Sequence, residues 1–238
     1  MDPVIRPVPA VCAALMFSAL LSGCVSTVGG SAVQAHGGGS TRAGGPKLEK
    51  SDLEHVLLTA GAVNGIMDAT GIRQTRTSEE MSDNSDAVSD IDCLGAIYGA
   101  EEKVYKGSDW TAVRDEVLQE PVSDNDHWVE QIAVLFPSPD KAQKFVEESR
   151  TTWKKCEGSS IDIDNDEVHS TWDIGDADTA GEILTQSAEQ RDAGGWGCQH
   201  ALGTASHLVV EAWACSNSIG DEAGSIATEM LRNAAKKK

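Results

Sequence analysis

The chain has 238 residues, with 38 Asp and Glu against 19 Lys and Arg, and a net charge of −19 at pH 7. An acidic balance of this size repels phosphate backbones and anionic headgroups, which excludes nucleic-acid binding and flat adsorption on an anionic bilayer. Six cysteines and six tryptophans are the informative part of the composition.

The chain opens with an apolar stretch, Val11 to Leu21, followed by Leu21-Ser22-Gly23-Cys24. Small residues before a cysteine at the end of a short apolar run are how a bacterial lipoprotein signal ends. The run is shorter than the roughly 20 apolar residues of a spanning helix. Residues 1–23 are therefore read as a signal peptide, and Cys24 as the thiol that takes up the lipid (diacylglyceryl, palmitate-type) and becomes the first residue of the mature protein. The positive charge of the leader is Arg6 alone, beside an acidic Asp2, so an ordinary cleaved signal with Cys24 incidental is the alternative. Residues 24–47 are rich in Gly, Ser, Thr and Ala, cannot bury a core and read as a tether. A flexible coil of about 22 residues has an end-to-end distance of roughly 25 Å, enough to clear the headgroups. The expected location is the extracytoplasmic face of the cell membrane, with the membrane contacted through the lipid anchor.

Residues 48–238 are the right length for one domain. Ser51-Asp52-Leu53-Glu54 fits a capping box and predicts a helix running toward Ala60. Ser82 to Asp92 is a polar, Asp-rich loop, and Cys93 to Tyr98 a short helix or turn. Trp110–Gln119 and His127–Phe136 read as strands around a Glu120-Pro121 break, the second apolar on both faces and so central in a sheet. Ser138-Pro139 opens a helix, with Ala142, Phe145, Val146, Ser149 and Trp153 on one buried stripe. Ile161–Ile163, Thr171–Ile174 and Glu182–Ala188 are candidate strands. Asp221 to Ala235 is a closing helix that buries Ala223, Ile226, Ala227, Met230 and Leu231. The pattern is α+β: an antiparallel sheet flanked by helices, packed mainly on one face.

Gly197 to Ser216 carries the sharpest local inference. A hairpin turning at Ser206-His207 sets Cys198 opposite Cys215, and a cross-strand disulfide follows. The same register puts Ala201, Gly203, Ala205, Leu208, Val210, Ala212 and Ala214 on one face, small enough for close approach by a helix. Cys198, His200, Leu202, Thr204, Val209, Glu211, Trp213 and Cys215 share the other, which is the candidate ligand face. Cys93 and Cys156 pair by elimination, and both disulfides need an oxidising compartment. Four cysteines without a Cys-x-x-Cys pair argue against a metal site.

These residues resemble the PknH-like extracellular sensor domain family, found on an actinobacterial serine/threonine kinase and on lipoproteins without a kinase. The resemblance rests on Asp92-Cys93-Leu94 with Tyr105, on Trp110 and Glu120-Pro121, on Trp128 to Ser138 with Ala142, Phe145, Trp153 and Cys156, and on Gly197-Cys198-Gln199 through Val209-Val210 to Cys215. It implies an antiparallel sheet flanked by helices, disulfides joining first to second and third to fourth of these cysteines, and a cleft for an unidentified ligand. The chain departs from the family pattern at His200, where relatives usually carry arginine, and near His207, where asparagine is common. Any anion site built on that arginine is in doubt here. No kinase motif follows the domain, so signalling by this chain alone is not expected.

Other motifs are weaker. Asp162-x-Asp164-x-Asp166 resembles the start of a calcium loop, but Glu167 stands where glycine is needed and Asp173 where a bidentate Glu is usual. No cofactor or metal is expected. For hydrolysis the chain offers Ser206, His200 or His207 and Glu211, with no activating turn or oxyanion donors, so no enzyme is expected. The candidate ligand-binding residues are His200, Glu211, Trp213 and Trp196. The function expected is non-catalytic binding of an unidentified small-molecule or protein ligand at the cell envelope, with an assembly factor as the competing class.

Overall fold

The computed structural model describes residues 47–121, 126–165 and 169–236. Cys24, the signal peptide, nearly all of the tether, and Asp166 and Glu167 of the acidic motif lie outside them.

Eight strands form one sheet: β1 (Arg73–Ser78), β2 (Ala112–Gln119), β3 (His127–Leu135), β4 (Ser160–Asp164), β5 (His169–Ala180), β6 (Ile183–Gln190), β7 (Gly197–Ala205) and β8 (Leu208–Ser216). Their order is β1-β2-β3-β8-β7-β6-β5-β4, and every neighbouring pair is antiparallel. β3 and β8 sit inside the sheet, which explains why β8 is buried at every residue and why β3 is apolar on both faces. β1, Arg-Gln-Thr-Arg-Thr-Ser, is an exposed edge strand with no apolar alternation, so hydrophobic periodicity gives no sign of it.

Helices cover both faces rather than mainly one. On the first, α6 (Glu222–Lys236) lays Ala223, Ile226, Ala227 and Met230 against Ala201, Leu208, Val210, Ala212 and Ala214. Gly203 allows close packing there: a Cβ would fall 2.5 Å from Ile183 Cδ1 and 3.3 Å from Leu231 Cδ1, and those side chains would have to shift. On the second, α5 (Pro139–Cys156) buries Ala142, Phe145, Val146, Ser149 and Trp153, capped by Ser138, whose hydroxyl accepts from the Lys141 N–H at 3.3 Å. This face also holds Ile132, Val134, Leu202 and Val209. The two cores follow from side-chain alternation in strands that are buried on both sides.

The first helix differs from the expectation. The reciprocal N-terminal bond joins the Glu49 N–H to Asp52 Oδ2 at 2.7 Å, two residues earlier than a Ser51/Glu54 box. A 3-10 turn, Lys50–Asp52, leads into α1 (Leu53–Val56), and a second helix, α2 (Ala60–Ile66), starts after Thr59. The break is explained by Gln131, fully buried on β3. Its amide accepts from the Leu58 N–H at 2.8 Å and donates to the Leu58 carbonyl at 3.1 Å, taking both groups that a continuous helix would use.

The disulfides join Cys93 to Cys156 and Cys198 to Cys215, as the hairpin register and elimination require. The first ties the 3-10 turn Ile91–Cys93, which leads into α3 (Leu94–Ile97), to the end of α5; the second staples β7 to β8. In a loop-entropy model the longer closure contributes about 4 kcal/mol and the shorter about 3, both upper figures because native strain subtracts from them.

Candidate functional site: a tryptophan cup beside a buried carboxyl cluster

Pairing across β3, β8, β7, β6 and β5 sets residues of remote sequence in rows. One row runs Trp128, Cys215, Cys198, Ala188, Ile174; the next runs Glu130, Trp213, His200, Gln186, Ala177. Trp172 on β5 lies opposite Gln190 at the end of β6, and Trp196 immediately precedes β7. The result is a concavity of about 480 Å³ walled by Trp128, Trp172, Trp196 and Trp213, the Cys198–Cys215 disulfide, and Ile97 and Tyr98 from the end of α3. Its polar lining is Glu130, Asn165, Ser170 and Gln190. Gly99 packs closely against two of the lining residues: a Cβ there would lie 2.5 Å from Ile132 Cδ1 and 3.3 Å from both Glu130 Oε2 and Trp213 Cδ1.

The four candidate ligand residues divide. Trp196 and Trp213 line the cup. His200 and Glu211 share its sheet face but are sealed in the core, at 0% and 4% exposure. The His200 ring lies between two indoles, with centroids 4.2 Å from Trp153 and 4.2 Å from Trp213. Its Nε2–H donates to Glu211 Oε2 at 3.0 Å, and Glu211 Oε1 accepts the hydroxyl of Tyr105, at the end of α4 (Glu102–Tyr105). Burial lowers the His200 pKa, opposed by Glu211, while burial and Glu211 hold Tyr105 well above the usual phenol range. His200 is thus a neutral donor that orients a carboxylate, with Trp213 as the link from this network to the cup. Trp128, Trp172 and Glu130 escaped the sequence reading as site residues. The pairing of β3 with β8 is the signal that finds Trp128 and Glu130.

Behind the cup, Arg76 on β1 reaches across the sheet. Its Nη2 donates to Glu130 Oε1 at 2.9 Å and lies 3.1 Å from Asp115 Oδ2. Burial, then the neighbouring Asp115, pushes Glu130 well above the carboxylate range; burial raises Asp115 as well, opposed by Arg76. Burial and the adjacent Asp115 carboxylate thus both favour the neutral form of Glu130, opposed by the Arg76 guanidinium.

Other concavities lie apart from the cup. A larger cleft of about 640 Å³ carries Lys103, Lys106, Lys141 and Lys144, but Lys141 is paired with Asp109 at 2.7 Å and Lys144 with Glu148 at 3.3 Å. At the β7–β8 turn, Ser206 Oγ lies 3.3 Å from His207 Nδ1, and His207 Nε2 donates to the Leu48 carbonyl at 3.0 Å. This pair lines a separate hollow with Lys47 and Pro137, so Ser206 and His207 are apart from His200, Glu211 and the cup. Among the described residues no group of three or more His, Cys, Asp or Glu could hold a metal ion. In the acidic motif, Asp162 Oδ1 accepts the Thr171 hydroxyl at 2.6 Å, a bond between neighbouring strands.

This arrangement is that of a disulfide-stapled α+β domain. The family of PknH-like extracellular domains matches residues 48–233, and the chain belongs to it. Serine/threonine-protein kinase PknH of Mycobacterium bovis is 33% identical over 179 residues, covering 75% of this chain and 30% of the kinase. PknH of Mycobacterium tuberculosis is likewise 33% identical, over 75% of this chain and 29% of the kinase. The matched region thus spans about three tenths of these relatives. The crystal structure of the extracellular domain of PknH from Mycobacterium tuberculosis superposes with a TM-score of 0.77 at 31% identity, over 82% of this chain and 100% of that one. The similarity is therefore to the part of the kinase that stands outside the cell.

The carboxyl cluster gives stability a pH slope. A folded-state pKa above the unfolded value makes Glu130 cost stability as pH rises past about 4.5, because the unfolded state ionises first. Glu130→Gln should remove this cost, so that its unfolding free energy gains on the wild type as pH is raised from 4.5 toward 8. Urea titrations across that range test it, and a pH-independent difference would contradict the protonated assignment.

Proposed function

We infer that this protein is a cell-envelope lipoprotein, anchored through Cys24, whose domain binds a ligand in the tryptophan cup without transforming it. Residues 24–47 hold the domain off the membrane, and acylation at Cys24 supplies an anchor stable enough for retention when two or more chains are attached. The observation that carries the reading is the cup itself: a preformed concavity with four indole walls, a few convergent polar groups and a perturbed carboxyl, which is the usual composition of a ligand site. Membership of an extracellular domain family found on receptor-type kinases supports a sensing role, exercised here through whatever the loaded domain meets in the envelope.

Two features weigh against the competing classes. A flat docking surface for a protein partner calls for a contiguous apolar patch, whereas among the described residues Ile91, at 51%, is the large hydrophobic side chain that stands exposed. Hydrolysis calls for a nucleophile and base where the ligand sits, and Ser206 with His207 is in a different hollow.

Replacing His200 is a poor test of binding, because it leaves a buried Glu211 oxygen without its donor, which costs about 1–3 kcal/mol of stability or more. Trp172 and Trp196 are the informative positions, being partly exposed walls. Native mass spectrometry of the chain incubated with an extract of its own cell envelope should show an adduct that Trp172→Ala with Trp196→Ala removes. An adduct that persists in the folded double variant places the ligand elsewhere. The anchor is tested separately: Cys24→Ser should move the protein from the detergent phase to the aqueous phase on partitioning, and unchanged partitioning contradicts lipidation.

A further inference from the structure

We propose that the cup takes an organic cation with an apolar body, an alkylated ammonium group, held by cation–π contact with Trp128, Trp172, Trp196 and Trp213. This rests on the reading of the cup as the ligand site and names the chemistry it selects.

Indole gives the strongest cation–π contact of the aromatic side chains, and a cation within about 6 Å of several ring faces is attracted by each. Four indoles line one concavity of about 480 Å³, which has room for a group as small as trimethylammonium, and Trp213 turns one ring face to His200. None of the thirteen lining residues is Lys, Arg or His. An anionic ligand would therefore enter without a cationic partner. The whole-chain charge of −19 also raises the local concentration of cations.

A neutral saccharide would also stack on indole, but it needs several free hydrogen-bonding groups. The cup has few. Ser170 Oγ already accepts the Trp172 indole N–H at 3.1 Å, Glu130 Oε1 is engaged by Arg76, and the buried Trp213 indole N–H is a donor without a partner. The charged and titratable groups facing Glu130 are Arg76, Asp115 and Glu211, with Tyr98 on the opposite wall of the cup. Arg76 offsets Asp115, and Glu211 leaves the surroundings of the floor net negative when the cup is empty. A bound cation would draw the proton off Glu130, leaving a carboxylate to face it. Binding should therefore tighten as pH rises.

Choline and its neutral carbon isostere, 3,3-dimethylbutan-1-ol, have the same shape and differ in charge, so they isolate the claim. Titrated against the tryptophan fluorescence of the full chain, choline should bind about tenfold or more tightly than the isostere. Trp172→Ala and Trp196→Ala should each weaken choline, and Glu130→Gln should abolish the pH dependence of choline binding. Equal affinity for choline and the isostere overturns the cation assignment while leaving the cup as a site for neutral ligands. A response to maltose with none to choline does the same. Choline binding that survives both tryptophan substitutions in folded protein overturns the cup reading itself.

Discussion

Side chains in a strand alternate between faces, so the pairing of β7 with β8 about Ser206-His207 decides at once what meets α6 and what meets α5. In the observed register, small residues from Ala201 to Ala214 lie under α6, and Gly203 admits it to within van der Waals range. The same register sends Trp213, Cys198 and Cys215 to the cup and His200 and Glu211 to the core beside it. A slip of one residue would bury Trp213 under α6 and present alanines to the cup. The Cys198–Cys215 disulfide joins directly opposite residues and fixes that pairing covalently.

Polar groups on the α5 face are costly unless paired, and their pairing gives the face its character. Glu211 accepts from both Tyr105 and His200, and two indoles clamp the His200 ring. This cluster is closed to solvent and acts as a rigid backing for Trp213. One strand away, the Arg76, Asp115 and Glu130 cluster reaches the cup through Glu130. The contrast matters for function: one network holds an aromatic wall in place, and the other presents a titratable group to whatever occupies the space. Tryptophan 213 belongs to both settings, because it stacks on His200 and lines the cup.

Much of the fold was legible in the sequence because its long elements are strongly patterned. The α5 stripe from Ala142 to Trp153, the α6 stripe and the hairpin register each follow from spacing alone. The misses have physical causes. β1 is polar throughout and gains its order from pairing with β2; α2 contains two glycines and depends on its Thr59 cap; and α1 stops where Gln131, more than seventy residues away, takes the Leu58 backbone. The site was half legible. Trp196 and Trp213 were found from the hairpin, but Trp128 and Trp172 come from strands whose neighbours only the sheet order reveals. His200 and Glu211 share a face with the site, and a face assignment does not distinguish a cavity wall from the packing beneath it.

The central claim is that ligand meets the four cup indoles and not the lysine-lined cleft beside Trp153. The six tryptophans give six indole N–H signals in a nitrogen–proton correlation spectrum of labelled protein, and these can be followed as envelope extract or choline is added. The account predicts that Trp128, Trp172, Trp196 and Trp213 shift while Trp110 stays in place. A shift at Trp153 with Trp128, Trp172 and Trp196 unmoved would contradict it and move the site to the lysine cleft.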